Sequence, residues 1–408
     1  MAAQQGIRRF SPGRIALRNV VLLIPAMVII AATLNTVSCT NSNGLLPVVS
    51  GSGSNTPTAT PTSGTGALAF VTNFNDGKVS SFTRNTTTGV LKHTGQVKAG
   101  AKNGPRGVIA SLSGSFLYVA NLADDNIYEF SVSQTNGALT PLSPPSVSNG
   151  NATAPDELAM NTAGTLLWAT GRAGTVTAYA VNTSTGQLTK NSSIGGFNTP
   201  FGIAVHPTLA VLYVSDLGTG LIWPMSYDTT TGALTKNFTA VSSPDPLAIL
   251  PAAIAIDTAG AALFTPDEGN GEVSSFSINV STGALTPVGA FTNSSTSDAP
   301  VGIGIGTNAG IEYVFTANFG GTSVSSFIVT NSTTLNPPPT VASGYNAPKG
   351  LVVDPQNVFV YTADSGDGTV SQSTISGTCG SSLCAGPLVS TENPANPNSG
   401  PFGITLAQ

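Results

Sequence analysis

Residues 200–216 read PFGIAVHPTLAVLYVSD and contain two short β-forming runs on either side of a turn. The first run begins at Pro200, because a residue without an N–H is tolerated at the start of a strand. His206-Pro207 marks the turn, and the second run ends in the tetrad YVSD at residues 213–216. This pattern predicts two adjacent antiparallel strands.

The same unit recurs along the chain. An aromatic residue opens each tetrad, and the tetrads begin at Phe70, Tyr118, Trp168, Tyr213, Phe264, Phe315 and Tyr361. Successive tetrads lie 45 to 51 residues apart, and a period of this size indicates a repeat architecture. A proline-led run precedes every tetrad except the first, and one more stands at the C-terminus; these runs begin at Pro105, Pro155, Pro200, Pro251, Pro300, Pro348 and Pro401.

Two further strands follow most tetrads. One has the pattern Val/Ile-x-x-Phe, as in Val79–Phe82, and the other begins after a glycine turn such as Thr88-Gly89. Glycine supplies the positive φ that tight hairpins require. Four short strands in each of seven repeats predict an all-β, seven-bladed β-propeller. The first repeat lacks its proline-led strand, so we expect Pro401–Gln408 to join the first blade and close the ring, which removes an open sheet edge.

The succession P-x-G-I-A, YV-x-N, V-S-x-F and T-G-A-L resembles the YVTN/lactonase-type seven-bladed propellers. This family includes bacterial 6-phosphogluconolactonases and carboxymuconate-cyclising enzymes. The resemblance covers Ala67–Gln408, and it implies the propeller fold and lactone hydrolysis as a possible activity. Pro105-Arg106 matches part of a Pro-Arg-His stretch of the lactonases, with Gly107 at the position of the histidine.

Residues 1–39 have the form of a lipoprotein-type signal peptide. Four arginines lie within the first 18 residues, and an apolar run follows at residues 20–34. The run ends at Thr36–Cys39, which resembles the lipobox of bacterial lipoproteins. The sequence therefore predicts acylation of Cys39, with plain signal cleavage or an uncleaved anchor as alternatives. We expect an exported protein, anchored to a membrane of the bacterial cell envelope through its lipid and located in the periplasm or on the outer surface.

Residues 40–66 form a Ser/Thr/Gly/Pro tether without a single charge, which is typical of a spacer. The predicted organisation is therefore a signal peptide at 1–39, a tether at 40–66 and a propeller at 67–408. Cys379 and Cys384 lie five residues apart in a Gly/Ser-rich loop. In an oxidising compartment we expect them to form a local disulfide.

The composition excludes several classes of function. From residue 67 onward the chain has 10 basic and 19 acidic residues, which argues against nucleic acid or an anionic membrane surface as a partner. Two histidines and three cysteines leave little material for a metal site, so we expect no metal and no cofactor. We also expect a monomer whose partner is a small molecule or an envelope protein.

The candidate site lies where the proline-led strands begin, at the mouth of the central channel. Lactone hydrolysis needs a base to activate water and a cation for the developing oxyanion. The candidates for these catalytic roles are Arg106 and Lys349 as cations and Asp156 or Glu157 as the base. The predicted ligand-binding residues are Arg106, Lys349, Phe201, Val301, Phe402, Asp267 and Glu268, and Arg172 adds a charge on the same face.

Two function classes follow from this arrangement. The first is a noncatalytic envelope protein that binds a ligand or partner through the channel mouth, and the second is an exported lactonase. The charge-poor surface and the missing histidine favour binding. Both histidines are expected to be structural, because His206 falls in a turn on the opposite face and His93 lies in an outer strand.

Overall fold

The computed structural model describes residues 67–246, 250–293, 298–376, 383–390, 396 and 398–407. These residues form seven antiparallel sheets, arranged as the blades of a propeller. Cys39 and Cys379 lie outside the described residues, so acylation and the disulfide remain predictions. The part of the chain that the structure describes contains no helix of the length and apolar character that spanning a membrane requires.

The strands follow one another in chain order. Blade 1 contains β1 (Leu68–Asn73), β2 (Lys78–Arg84) and β3 (Leu91–Lys98), and blade 2 contains β4 (Pro105–Ala110), β5 (Phe116–Asn121), β6 (Asn126–Val132) and β7 (Leu139–Ser148). Blade 3 contains β8 (Pro155–Met160), β9 (Leu166–Gly171), β10 (Thr175–Val181) and β11 (Leu188–Ile194). Blade 4 contains β12 (Pro200–Val205), β13 (Val211–Asp216), β14 (Leu221–Tyr227), β15 (Leu234–Thr235) and β16 (Val241–Ser242).

The remaining blades repeat the pattern. Blade 5 contains β17 (Ala255–Ile256), β18 (Ala262–Asp267), β19 (Glu272–Ile278) and β20 (Leu285–Thr292), and blade 6 contains β21 (Pro300–Asn308), β22 (Ile311–Asn318), β23 (Ser323–Thr330) and β24 (Thr334–Ser343). Blade 7 contains β25 (Pro348–Val353), β26 (Phe359–Asp364), β27 (Thr369–Ile375) and β28 (Leu383–Ser390), and β29 (Pro401–Ala407) is the last strand.

The ring closes as the sequence predicts. β29 pairs antiparallel with β1, with Leu68 opposite Ala407 and Val71 opposite Ile404. The seventh proline-led strand thus becomes the inner strand of blade 1. A buried ion pair between Arg84 of blade 1 and Asp354 of blade 7, 3.1 Å apart, links the first blade to the last.

The core lies between neighbouring blades, and the tetrad aromatics form much of it. All seven are fully buried. Where the aromatic residue is Tyr or Trp, its polar atom donates a hydrogen bond to the glycine-turn carbonyl of the next blade. These pairs are Tyr118 with Gly186, Trp168 with Gly232, Tyr213 with Gly283, and Tyr361 with Gly89. The aromatic residues therefore hold adjacent blades together, as expected for an inter-blade core.

Candidate functional site

The channel mouth is built from the residue that follows the first proline of each inner strand. In three blades a hydroxyl from the tetrad donates a hydrogen bond to the main-chain carbonyl of this residue in the next blade. The pairs are Thr72 with Arg106 (2.6 Å), Thr170 with Phe201 (2.7 Å) and Ser215 with Ala252 (2.5 Å). The backbone beneath the mouth side chains is thereby fixed by the neighbouring blade.

Glycine at the next position is a steric requirement in five of the seven blades. A Cβ placed on five of these residues would lie 2.1–2.4 Å from a carbonyl oxygen of the adjacent inner strand; they are Gly107, Gly202, Gly302, Gly350 and Gly403. Such a distance is far inside van der Waals contact, so a side chain is excluded there. The equivalent residues in blades 3 and 5 are Glu157 and Ala253. Blade 3 thus places a carboxyl group in a ring otherwise occupied by small residues.

Asp156 joins two arginines at the mouth. Its buried carboxylate accepts hydrogen bonds from Nη1 of Arg106, at 3.2 and 3.3 Å, and from Nε of Arg172. The Asp156 side chain has no exposed surface, whereas the two arginine side chains are 15% and 32% exposed. The carboxylate therefore orients two guanidinium groups whose outer edges still reach the solvent.

Phenylalanine rings separate the cations. The guanidinium of Arg106 lies 4.4 Å from the centroid of the Phe402 ring. The ammonium of Lys349 lies 5.1 Å from the centroid of the same ring. Three further contacts extend the series: Arg106 with Phe74 (5.1 Å), Arg172 with Phe201 (5.1 Å) and Lys349 with Phe319 (4.5 Å). Cation–π attraction thus holds each charge at the mouth.

The rings of Phe201 and Phe402 pack with Ala252 into one buried cluster, and Phe74, Leu217 and Val301 cover its edge. Below them the channel contains a cavity of about 160 Å³. Its wall is mostly aliphatic, with Val108, Ile203, Ile254, Ile303, Leu351 and Ile404 among the lining residues. Glu157 also lines the cavity, and its carboxyl group has no hydrogen-bond or ion-pair partner among the described residues.

Burial changes the proton affinity of these groups. It raises the pKa of Glu157 to about 8, and the nearby Asp156 carboxylate adds to this effect. Burial also lowers the pKa of Lys349, and the Glu268 carboxylate opposes this shift. In the same way burial lowers the pKa of Arg106, and the Asp156 carboxylate opposes that shift. At neutral pH the mouth therefore has charged arginines above a mostly protonated Glu157.

The structure brings most of the predicted site residues together, because Arg106, Asp156, Lys349 and Phe402 are linked directly and Phe201 and Val301 share their cluster. Glu268 lies near enough to Lys349 to affect its pKa. Asp267 is a correction to the predicted set. Its carboxylate is fully buried and accepts a hydrogen bond from Ser274 at 2.5 Å, so it faces the interior of blade 5 instead of the mouth.

Asp156 also differs from its predicted role as a base, because two arginines hold it as an ion-pair partner. His206 is buried in its turn, where Nδ1 accepts from the Thr208 and Leu209 amides and Nε2 lies 3.0 Å from the Gly260 carbonyl oxygen. Within the described ranges, no group of three His, Cys, Asp or Glu side chains is arranged to hold a metal ion.

Phe74 and Phe319 are not among the site residues predicted from the sequence. These two residues and Arg172 each directly follow a tetrad, and all three contact the mouth residues. The signal was present, since the repeat register places these three positions equivalently. Arg172 was expected only as an additional charge, and its ion pair with Asp156 was not foreseen.

Seven blades surround a channel whose mouth is lined by cations and aromatic rings, and this arrangement defines the chain as a seven-bladed β-propeller. A family model for seven-bladed β-propeller lactonases matches residues 62–201 and 214–401. The chain therefore belongs to the lactonase family of seven-bladed β-propellers. No curated protein sequence matches it.

Solved structures with the same fold are distant in sequence. Proteins of Bacteroides fragilis and Bacteroides uniformis with the provisional name 6-phosphogluconolactonase align with TM-scores of 0.71 and 0.72 at 17% and 15% identity. These alignments cover 85% and 84% of this chain and 99% and 100% of the others. The periplasmic gluconolactonase PpgL of Pseudomonas aeruginosa aligns with a TM-score of 0.65 at 14% identity, over 84% of this chain and 99% of its own. These similarities concern the fold alone.

Proposed function

We propose that this propeller binds an anionic, polyhydroxylated small molecule at the mouth of its channel. The observation that carries the proposal is the convergence of Arg106, Arg172 and Lys349 with unused hydrogen-bond donors. Arg106 bonds Asp156 through Nη1 only, which leaves Nη2 as its unused donor, while Arg172 bonds Asp156 through Nε only. The ammonium of Lys349 makes no hydrogen bond to the described residues. Free donors on fixed cations are suited to carboxylate and phosphate groups.

The charge balance of the mouth supports an anion. Asp156 and Glu268 offset two of the three cations, and the raised pKa of Glu157 keeps that carboxyl mostly neutral at pH 7. One positive charge remains, although the chain from residue 67 onward has nine more acidic than basic residues. Phe74 and Phe319 are half-buried at the rim, so each offers part of a ring to the apolar face of a sugar.

Calorimetric titration tests this proposal with 6-phosphogluconate, gluconate and uncharged glucose as probes. We expect the phosphorylated acid to bind best and glucose worst. Arg172→Gln should weaken 6-phosphogluconate about 10- to 100-fold, the effect of losing a charged hydrogen bond. Lys102→Gln is the matched control, because Lys102 is exposed on a loop of the same face without contacting the mouth. An equal loss in both variants, or equal affinity for all three probes, would overturn the proposal.

Lactone hydrolysis is the second candidate, and Glu157 is the residue that favours it. A carboxyl without a hydrogen-bond partner and with a pKa of about 8 could exchange a proton with water at neutral pH. The arginines above it could stabilise an oxyanion. Turnover of 6-phosphogluconolactone and glucono-δ-lactone tests this activity. If Glu157 is the base, Glu157→Gln should abolish the rise in rate near pH 8, whereas absence of turnover in the unaltered protein rules the activity out.

We propose further that the protein is exported and acylated at Cys39. The arginine-rich start, the apolar run at 20–34 and the uncharged tether support this location. A relative of the same fold is periplasmic in Pseudomonas aeruginosa. Mass spectrometry of the mature N-terminus should find a lipid-modified Cys39, and an unmodified N-terminus at another residue contradicts the proposal.

A further inference from the structure

Exposed aliphatic side chains concentrate on the face opposite the mouth. We call this the distal face and define it by the turns that follow the inner strands and those that precede the outer strands. Five of the eight large exposed hydrophobic residues in the described chain lie on this face: Val90, Leu112, Val280 and Val358 in its turns and Ile311 as the first residue of β22. They belong to blades 1, 2, 5, 6 and 7, which are consecutive around the ring. Leu112 and Val280 expose 63% and 56% of their surface.

The distal face also has few exposed charges. Arg84, Asp257 and Asp354 lie at or next to its turns but are buried, and Glu312 is half-buried. Among the described turns of this face, one charged side chain is exposed, that of Asp228 in blade 4. Lys92 is also exposed, but it is the second residue of β3 and therefore lies outside the turn. Several of the other charged residues are in the loops of the mouth face, including Asp76, Lys102, Asp124, Asp125, Glu268 and Asp367.

The first strand of the propeller also begins on the distal face. β1 starts there at Leu68, paired with Ala407, and ends at the mouth with Asn73. The 27 residues of the predicted tether, 40–66, connect this point to Cys39. The composition predicts a random coil for this segment, and a random coil of 27 residues has a typical end-to-end distance of about 30 Å. An anchor at Cys39 therefore keeps the distal face within reach of the membrane.

We propose that the distal face rests on the uncharged interfacial region of a lipid bilayer and directs the channel mouth away from the membrane. The proposal rests on the membrane anchor proposed above, and it does not depend on the ligand. Scattered aliphatic side chains bind a bilayer weakly by themselves. The tether makes the contact intramolecular and raises its effective concentration, so weak insertion suffices. Because the distal face has few charges, a zwitterionic lipid surface suits it. The acidic composition of the chain also favours a zwitterionic over an anionic surface.

Hydrogen exchange of the full mature chain on phosphatidylcholine vesicles tests the proposal. Flotation first reports whether the chain is anchored, and exchange then reports which turns the vesicle protects. We expect protection of the distal turns at residues 111–115, 279–283 and 355–358, relative to the detergent-solubilised chain. The mouth loops at 74–77 and 122–125 should exchange equally in both. If the chain floats with the vesicles but its distal turns are not protected, the anchor is present and the docking proposal is wrong.

Matched variants separate insertion from unrelated effects. Replacing Leu112, Val280, Ile311 and Val358 together by Ser should weaken docking about a hundredfold and remove the protection, while flotation persists. Val288, Ile328 and Val341 are similarly exposed but lie on outer and third strands, so their combined replacement by Ser is the control and should leave protection intact. Both variants should keep the melting temperature. Protection of the mouth loops instead, or protection without vesicles that grows with protein concentration and indicates a second copy, would overturn the proposal.

Discussion

Asp156→Ala is the substitution that most directly tests the construction of the mouth. The change removes a carboxylate that has no exposed surface and that accepts hydrogen bonds from both Arg106 and Arg172. Removing one partner of a fully buried ion pair costs about 3–5 kcal/mol. Because the arginine side chains are 15% and 32% exposed, water screens part of this loss, and we expect about 2–3 kcal/mol in the free energy of unfolding.

Urea unfolding followed by tryptophan fluorescence measures this cost. Asp156→Asn is the control, since it keeps the shape and one acceptor oxygen but loses the charge, and we expect it to cost less than the alanine variant. In the double variant Asp156→Ala/Arg106→Met, part of the loss should be recovered, because one unpaired guanidinium has been removed. A cost below about 0.5 kcal/mol for Asp156→Ala would refute the reasoning, since surface ion pairs contribute that little.

Three other predictions concern the ring and its pH response. Gly302→Ala should destabilise the protein by about 3 kcal/mol, because the new Cβ would lie 2.1 Å from the Lys349 carbonyl oxygen, whereas Ala253→Gly should cost about 1 kcal/mol or less in chemical denaturation. Deleting Pro401–Gln408 removes β29 and should abolish cooperative thermal unfolding; an unchanged melting temperature contradicts ring closure by this strand. Glu157 has a folded pKa of about 8 against an ordinary value of 4.5, so the folded state binds more protons and stability should fall as pH rises from about 5 to 8. In Glu157→Gln the free energy of unfolding should depend less steeply on pH. If denaturation at several pH values gives the same dependence for both proteins, the Glu157 carboxyl is solvated.

Much of the candidate site could be located from the repeat register. The register places equivalent residues of every blade at equivalent heights in the ring, and it therefore predicts that the residues after the inner-strand prolines lie close together. In the structure Arg106 and Lys349 both contact Phe402. The register could not show which way a side chain turns. Asp267 and Asp216 are equivalent in sequence and equally buried, yet Asp267 accepts a hydrogen bond from Ser274 of its own blade, whereas Asp216 accepts from the main-chain amides of Asn198 and Thr199.

The sequence by itself determined the fold and its closure. The period of 45 to 51 residues and the positions of the proline and glycine residues predict a repeated blade of four strands. The displaced C-terminal strand completes the first blade, so that no sheet edge is left open at the closure. These signals are local or periodic, and for that reason they can be read along a single chain.

The chemistry of the mouth was decided by the tertiary structure. Arg106 and Arg172 are 66 residues apart and meet only because Asp156 of blade 3 lies between them when the blades are packed. The same packing brings Lys349 and Arg106, from blades at opposite ends of the chain, onto the single ring of Phe402. Burial then sets the proton affinity of Glu157, which depends on how much water the surrounding blades exclude and so has no signature in the order of residues.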